Sequence, residues 1–514
     1  AYVRDLSDGM ASTRQVLHLQ VEGAQPGCTI ECEVSIEDRS VADQFEFQRE
    51  LFSAGVPVAQ EVVYVVGDVG TVKARLEQGE GVRHVKADKM RAWIVPAQPP
   101  APAETLAVWS ERRQPILRLA GEEGDWAAVG KDYLGQIKDR LMPEKEVEEL
   151  AKRLTEGLKT PQQKVAVLAR HVQKEVGYKA IEFGVRARRP NAGSETLRMR
   201  SGDCKDHALL LHQLLHAAGV PSHLALVNTE WEVHPDMPSL DQFNHMVVEV
   251  PALAKGWLID PTDKSLSLHR YPADQLYHCR ALVLDPAGSR LLAKPEAMRP
   301  EQCQVSNHRV VTPVGRDWLV EDVLELDGYY ASWIRNAFEG LTPADQRDKV
   351  QSILAAHGPV QVESFRFEAL DDLAVPARLV STYRVRDAVR EEGGEALASL
   401  PALWERDYLA TRFVKDRQTR FELLYPLHFI SKTTVKLPVA AEPASVTSFK
   451  QESDSPYCIW RLKSQQLQDR EVVLEFDFQA RTGEYAADKY PAYHDAWDAS
   501  RRSWERQIRW RPQP

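Results

Sequence analysis

The sequence predicts a multidomain α+β protein, with an α+β core flanked by two antiparallel β-sandwich domains. Its 514 residues exceed one ordinary domain and correspond to roughly three or four. The hydrophobic period is two from about residue 14 to 118, becomes helical near Gly124, and returns to two after about residue 305. No internal repeat or low-complexity tract interrupts this order. The expected partition is therefore 1–120, 121–304 and 305–514.

In the first third, Ile30, Cys32, Val34 and Ile36 alternate with Glu31, Glu33 and Ser35, the pattern of a half-buried strand. Phe45 and Phe47 alternate with polar neighbours, and Val62 to Val66 is a short β-branched and aromatic run. Turns at Gly67, Gly70, Gly79 and Gly81 separate the segments. The prolines of 96–104 lack the ladder donor, which makes that stretch a loop.

In the middle third, Trp126, Val129, Tyr133 and Ile137 recur at helical spacing, as do Val147, Leu150 and Leu154. Thr160-Pro161-Gln162-Gln163 opens a third helix: the Thr hydroxyl caps, Pro fills the first turn and Gln163 reaches back. Residues 186–195 form a polar loop. The next helix begins around Asp203 and ends at Gly219, with Pro221 blocking extension. Strands follow at 223–228, 245–250, 256–260 and 280–285. In the last third, helices at Tyr330 to Phe338 and from Thr342-Pro343 interrupt strands such as Val472, Leu474, Phe476 and Phe478.

Composition narrows the function. Hydrophobic residues are 43% and charged residues 27%, which excludes a wholly disordered or collagen-like chain. Sixty-five Lys+Arg against 75 Asp+Glu give a net charge of −10, which argues against broad nucleic-acid binding. No stretch approaches the about 18 uncharged apolar residues of a membrane-spanning helix. The six cysteines are too scattered for a disulfide scaffold. Cys28 and Cys32 would lie about 13 Å apart in one strand, too far to bridge, whereas Cys279 and Cys303 are a candidate pair. The opening AYVRDLSDGM has no basic start or apolar run, so an export signal is expected to be removed or absent.

The chemistry concentrates around Arg200-Ser201-Gly202-Asp203-Cys204-Lys205-Asp206-His207. Asp203 is a good N-cap and places Cys204 in the first helical turn, where unpaired N–H groups and the positive dipole end favour a thiolate. Cys204, Ala208, Leu211 and Leu215 also form one stripe, so the helix alone leaves open a small core residue. Asn244-His245 begins one strand and Asp260-Pro261 ends the next, joined by a connection short enough for a hairpin. A thiolate, a base beside it and a carboxylate orienting that base make a Cys-His-Asp arrangement. Taken singly, His245 is as readily a polar strand-end residue and Asp260-Pro261 a turn.

In this order, GDCKDHALLLHQLLHAAGVPSHLALV, the Asn244-His245 segment and WLIDPT resemble the three motifs of the transglutaminase-like superfamily of papain-related thiol enzymes. The resemblance implies a transglutaminase-like, papain-like α+β core with Cys204 as nucleophile, His245 as base and Asp260 as orienting acid. YKAIEFGVRARRP and GCTIECEVSIEDRSVADQFEFQRELF resemble a bacterial branch in which a β domain of unknown function (DUF3857) precedes the core. GYYASWIRNAF and RFELLYPLHFISKTTVKLP resemble its C-terminal β region. The N-terminal domain starts partway through that pattern.

What the resemblance implies is acyl transfer through a thioester, from a protein or peptide donor to water or an amine, with a lean towards hydrolysis. No metal or other cofactor is expected. The expected location is periplasmic or extracellular, with the cytoplasm left open. A catalytically silent peptide-binding or assembly module on the same fold is the alternative. His207, His212 and His216 share the Cys204 helix but lack a metal-binding motif. Arg186, Arg188, Arg189, Arg198 and Arg200 make the preceding loop basic, as a solvated surface or as a site for an acidic substrate. Trp257 is expected to pack in the core. The Cys204 N–H is a natural oxyanion donor, and Tyr178 is a candidate for the second.

Overall fold

The structure is a computed structural model. It describes residues 2–5, 15–18, 25–30, 33, 47–52, 56–108, 114–121, 124–180, 188–254, 256–265, 276–277, 279–295, 298–355, 359–373, 375–403, 415–423, 425–438, 449–468 and 470–511. The chain forms two compact units. One comprises residues 1–99, 114–264 and 275–295, and the other 100–113, 265–274 and 296–514.

The first unit opens with β structure. Strands Gln48–Leu51, Ile116–Ala120 and Lys73–Glu77 make one three-stranded antiparallel sheet, and Glu61–Val66, Met90–Val95 and Arg83–Ala87 make another. Phe52, Val72, Trp93, Val95, Leu117 and Leu119 share one apolar cluster, so side chains of both sheets leave water together. Residues Gln25–Ile30 are turn and irregular chain, and Ile30 is 57% exposed, so the expected strand does not begin there. Its continuation through Cys32, Val34 and Ile36, and the Phe45 position, lie outside the described residues.

The helical part follows from local caps. Thr160 and Gln163 form a reciprocal capping box at Pro161–Glu175, and Asp203 and Asp206 form another at Cys204–Ala217. Cys204–Ala217 is buried around nearly its whole first three turns. Lys145–Leu154, Pro161–Glu175 and Gly193–Met199 surround it, and it packs against strand His245–Glu249. An apolar run from Leu209 to Leu211 suits a helix covered on every side. The sheet is antiparallel, in the order Leu258–Ile259, His245–Glu249, His223–Val227, Ala281–Leu284, Arg290–Leu292. The expected loop 186–195 is shortened by the helix Gly193–Met199, which ends on Arg200 at φ 51°.

The second unit is built on an eight-stranded sheet, from Val360–Glu368 at one edge to Phe449–Asp454 at the other. It is antiparallel except where Gln304–Val314 pairs in parallel with Leu427–Lys436. Parallel neighbours need a long crossover, and more than a hundred residues separate these two in sequence. Helices Tyr329–Phe338 and Pro343–Ala355 stand where the sequence places them. A further helix, Tyr490–Trp504, buries Tyr490 and Tyr493 in a cluster with Phe421 and Tyr457.

Candidate active site

Cys204 is the first residue of its helix and is 5% exposed. Asp203 accepts from the Asp206 N–H, and the Asp206 carboxylate accepts from the Asp203 N–H at 3.2 Å and the Asn191 N–H at 2.7 Å. The capping box fixes the first turn, and with it the sulfur. Lys205 pairs with Asp203, both buried. Burial and the neighbouring Asp206 raise the Asp203 carboxyl above its ordinary range, while Lys205 works against them.

The strand register delivers the other two groups. Val248 pairs with Ile259, so extending that register sets Asp260 opposite Val247, on the face that also carries His245. His245 Nε2 lies 2.8 Å from Asp260 Oδ2. Asp260 is fully buried, and its other oxygen accepts from the Thr262 N–H at 2.9 Å and the Thr262 hydroxyl at 2.7 Å. Cys204 is near enough to the same imidazole to act on its charge. With Nε2 on the carboxylate, Nδ1 is the ring nitrogen left for sulfur.

Electrostatics follow from this packing. Burial disfavours the charged imidazole, but the Asp260 carboxylate, its hydrogen bond and Cys204 outweigh burial and raise His245 to about 10. Burial would lift Asp260, yet His245 and the two Thr262 bonds hold it below the ordinary carboxylate range. Of the three sequence-predicted residues, His245 and Asp260 are in direct contact, and Cys204 is near enough to influence the ring.

Other expected residues fall elsewhere. His207 is buried, its two ring nitrogens against the carbonyl oxygens of Asp203 at 2.8 Å and Val176 at 3.2 Å. His212 meets the Ser222 hydroxyl at 3.0 Å, and burial pushes it down to about 4. Among the described residues no cluster of three or more His, Cys, Asp or Glu could hold a metal ion. Arg188, Arg189, Arg198 and Arg200 pair with Asp241, Asp139, Glu195 and Glu175 respectively; Arg186 lies outside the described residues. Tyr178 is 41% exposed, on a two-residue strand paired with Ser201–Gly202. Trp257 is half-buried. Cys279 and Cys303 are not joined in a disulfide: the Cys279 thiol donates to the Asn228 carbonyl at 2.8 Å, and that of Cys303 faces Met298 sulfur at 3.5 Å.

Sequence reasoning missed Tyr133 as a neighbour of the site. It appears in the sequence as one of four apolar residues on a helix face. Its ring is buried, its hydroxyl donates to the Arg188 carbonyl at 2.5 Å, and burial followed by the nearby Cys204 charge raises its pKa.

Residues 148–260 match the profile described as the transglutaminase-like superfamily, a span that contains Cys204, His245 and Asp260. Among solved structures, the chain is similar to that of a Parabacteroides distasonis protein described provisionally as a protease. Identity is 15% and the TM-score 0.59, covering 91% of this chain and 75% of that one. A Cytophaga hutchinsonii protein described provisionally as a cysteine protease matches at 12% identity and a TM-score of 0.19, over 42% of this chain and 75% of that one. No curated protein matches the sequence.

Proposed function

We propose that this protein is a thiol-dependent acyl-transfer enzyme acting through a thioester on Cys204. One observation carries the reading: a cysteine on a capped helix N-terminus neighbours an imidazole held at 2.8 Å by a buried carboxylate. An imidazole held by a buried carboxylate can stay charged and stand as counter-ion and proton donor beside a nucleophilic sulfur. The thiolate attacks a peptide or amide carbonyl and forms the C–S bond. The His245 proton passes to the departing amine, and the C–N bond breaks. His245 then takes a proton from water or an acceptor amine, which displaces the sulfur. Asp260 keeps the ring oriented and stabilises its charge without itself taking the proton.

The Cys204 N–H, in a first helical turn, is a suitable donor to the oxyanion. Water as acceptor is the favoured route, acting on a protein or peptide donor. The N-terminal β region is read as a DUF3857-type domain, and the periplasm or extracellular space as the place of action. The test is incubation with peptides bearing a thiol-reactive carbonyl group, followed by mass spectrometry of tryptic fragments. The expected adduct sits on Cys204; labelling spread evenly over the cysteines would instead favour a silent peptide-binding module.

A further inference from the structure

Besides the direct packing of the Cys204 helix on strand His245–Glu249, an ion pair links the segment preceding that helix to the connection that leads into His245. Arg188 precedes the segment whose Asn191 N–H bonds to Asp206 in the cap of the Cys204 helix. Its carbonyl is held by the Tyr133 hydroxyl, and its guanidinium reaches the Asp241 carboxylate. Asp241 stands four residues before His245, in the connection between strands His223–Val227 and His245–Glu249. Its second oxygen accepts from the Phe47 N–H at 3.1 Å and lies 3.4 Å from the Ser239 hydroxyl, which in turn accepts from the Asp241 N–H at 3.2 Å.

That connection is stiff. Asn228 donates to the Gln242 carbonyl at 2.7 Å and accepts from the Glu230 and Trp231 N–H groups at 2.9 and 3.0 Å. Gln242 accepts from the His234 N–H at 2.7 Å, and Asn244 accepts from the Thr229 N–H at 3.0 Å. These bonds tie the Asp241 segment to the strand that begins with His245.

We infer that Arg188 and Asp241 are positioning residues that set the separation of sulfur and imidazole, and that the pair is a strap between the two sides of the candidate site. The inference rests on the reading that Cys204 and His245 react as a pair. An isolated, partly exposed ion pair contributes little. This one differs because Tyr133 fixes the backbone behind the cation, and Phe47 and Ser239 fix the anion. Neither residue touches the reacting atoms, and each acts through the geometry of others.

The experiment measures the rate of Cys204 alkylation by iodoacetamide against pH in the full chain, with thermal melts alongside. In Arg188→Gln and Asp241→Asn the rate at about pH 6 falls roughly fivefold, and the profile moves towards that of an ordinary thiol. Arg188→Lys keeps most of the wild-type rate, and the double variant Arg188→Gln/Asp241→Asn is no worse than either single. A structural pair alone would move the melts and leave the profile in place. If Asp241→Asn loses its fold with its hold on Phe47, Arg188→Gln against Arg188→Lys decides. An activated wild-type Cys204 with unmoved variant profiles overturns the strap and leaves the proposed function standing. A wild-type Cys204 that behaves as an ordinary thiol overturns both.

Discussion

His245 and Asp260 meet at 2.8 Å because Val248 pairs with Ile259, which sets the carboxylate on the face of the neighbouring strand that carries the imidazole. The contact is a product of strand register, and it has a pH signature. Asp260 is depressed, so its contribution to stability is present above the ordinary carboxylate value of 3.8 and lost as pH falls through its folded value. His245 is raised from 6.5 to about 10, so its contribution is complete below 6.5 and is lost as pH rises through about 10. Asp260→Asn should flatten both limbs of a plot of unfolding free energy against pH, measured by urea melts.

Removing the sulfur should stop chemistry and spare the fold. Cys204→Ala deletes one atom at a helix start, so its melt should stay close to wild type while acyl transfer disappears. His245→Ala should lower turnover by roughly a thousandfold or more, and Asp260→Asn by less. The double variant His245→Ala/Cys204→Ala should be no worse than Cys204→Ala, because parts of one catalytic unit are non-additive. Turnover on a peptide substrate, set beside melting curves, checks the set.

Lys205 should matter to stability more than its place on a helix suggests. Lys205 and Asp203 pair in the interior, and Asp203 also caps the Cys204 helix. Lys205→Met leaves the carboxylate buried without its cation, a change that costs about 3–5 kcal/mol. Chemical denaturation should show the loss, together with a further rise in the Asp203 pKa.

In the second unit, burial pushes Asp322 up to about 6 against the pull of Arg309, with Tyr383 and Asn307 donating to it. A carboxyl raised above 3.8 costs stability as pH climbs through that interval. Wild type should therefore lose stability between those values, and Asp322→Asn should lose less over the same range in a pH series of melts.

Much of the core was legible because its signals are local. Thr160, Pro161 and Gln163 announce one helix, and Asp203 with Asp206 another, since a cap is decided within four residues. His245 and Asp260 were legible because a short connection constrains two adjacent strands. The parallel pairing of Gln304–Val314 with Leu427–Lys436 was not, because nothing local specifies a partner so distant. Gly193–Met199 begins with Gly and Ser, residues that also suit a loop, and its N-cap, Ala192, has no side chain that could cap it; the acceptor for the Ser194 N–H is the distant Glu144. Tyr133 and the Arg188–Asp241 pair were hidden for the same reason: periodicity shows which face a residue occupies, not which carbonyl or carboxylate awaits it.

Activation of Cys204 is tested most directly by the alkylation rate of each cysteine across pH, read by mass spectrometry. The molecule carries its own controls. Cys28 is exposed, burial pushes Cys279 up to about 12, and burial also raises Cys458. Cys204 should react far faster than all three and stay reactive below about pH 7. Uniformly slow alkylation, with Cys204 following Cys28 or slower at every pH, would contradict it.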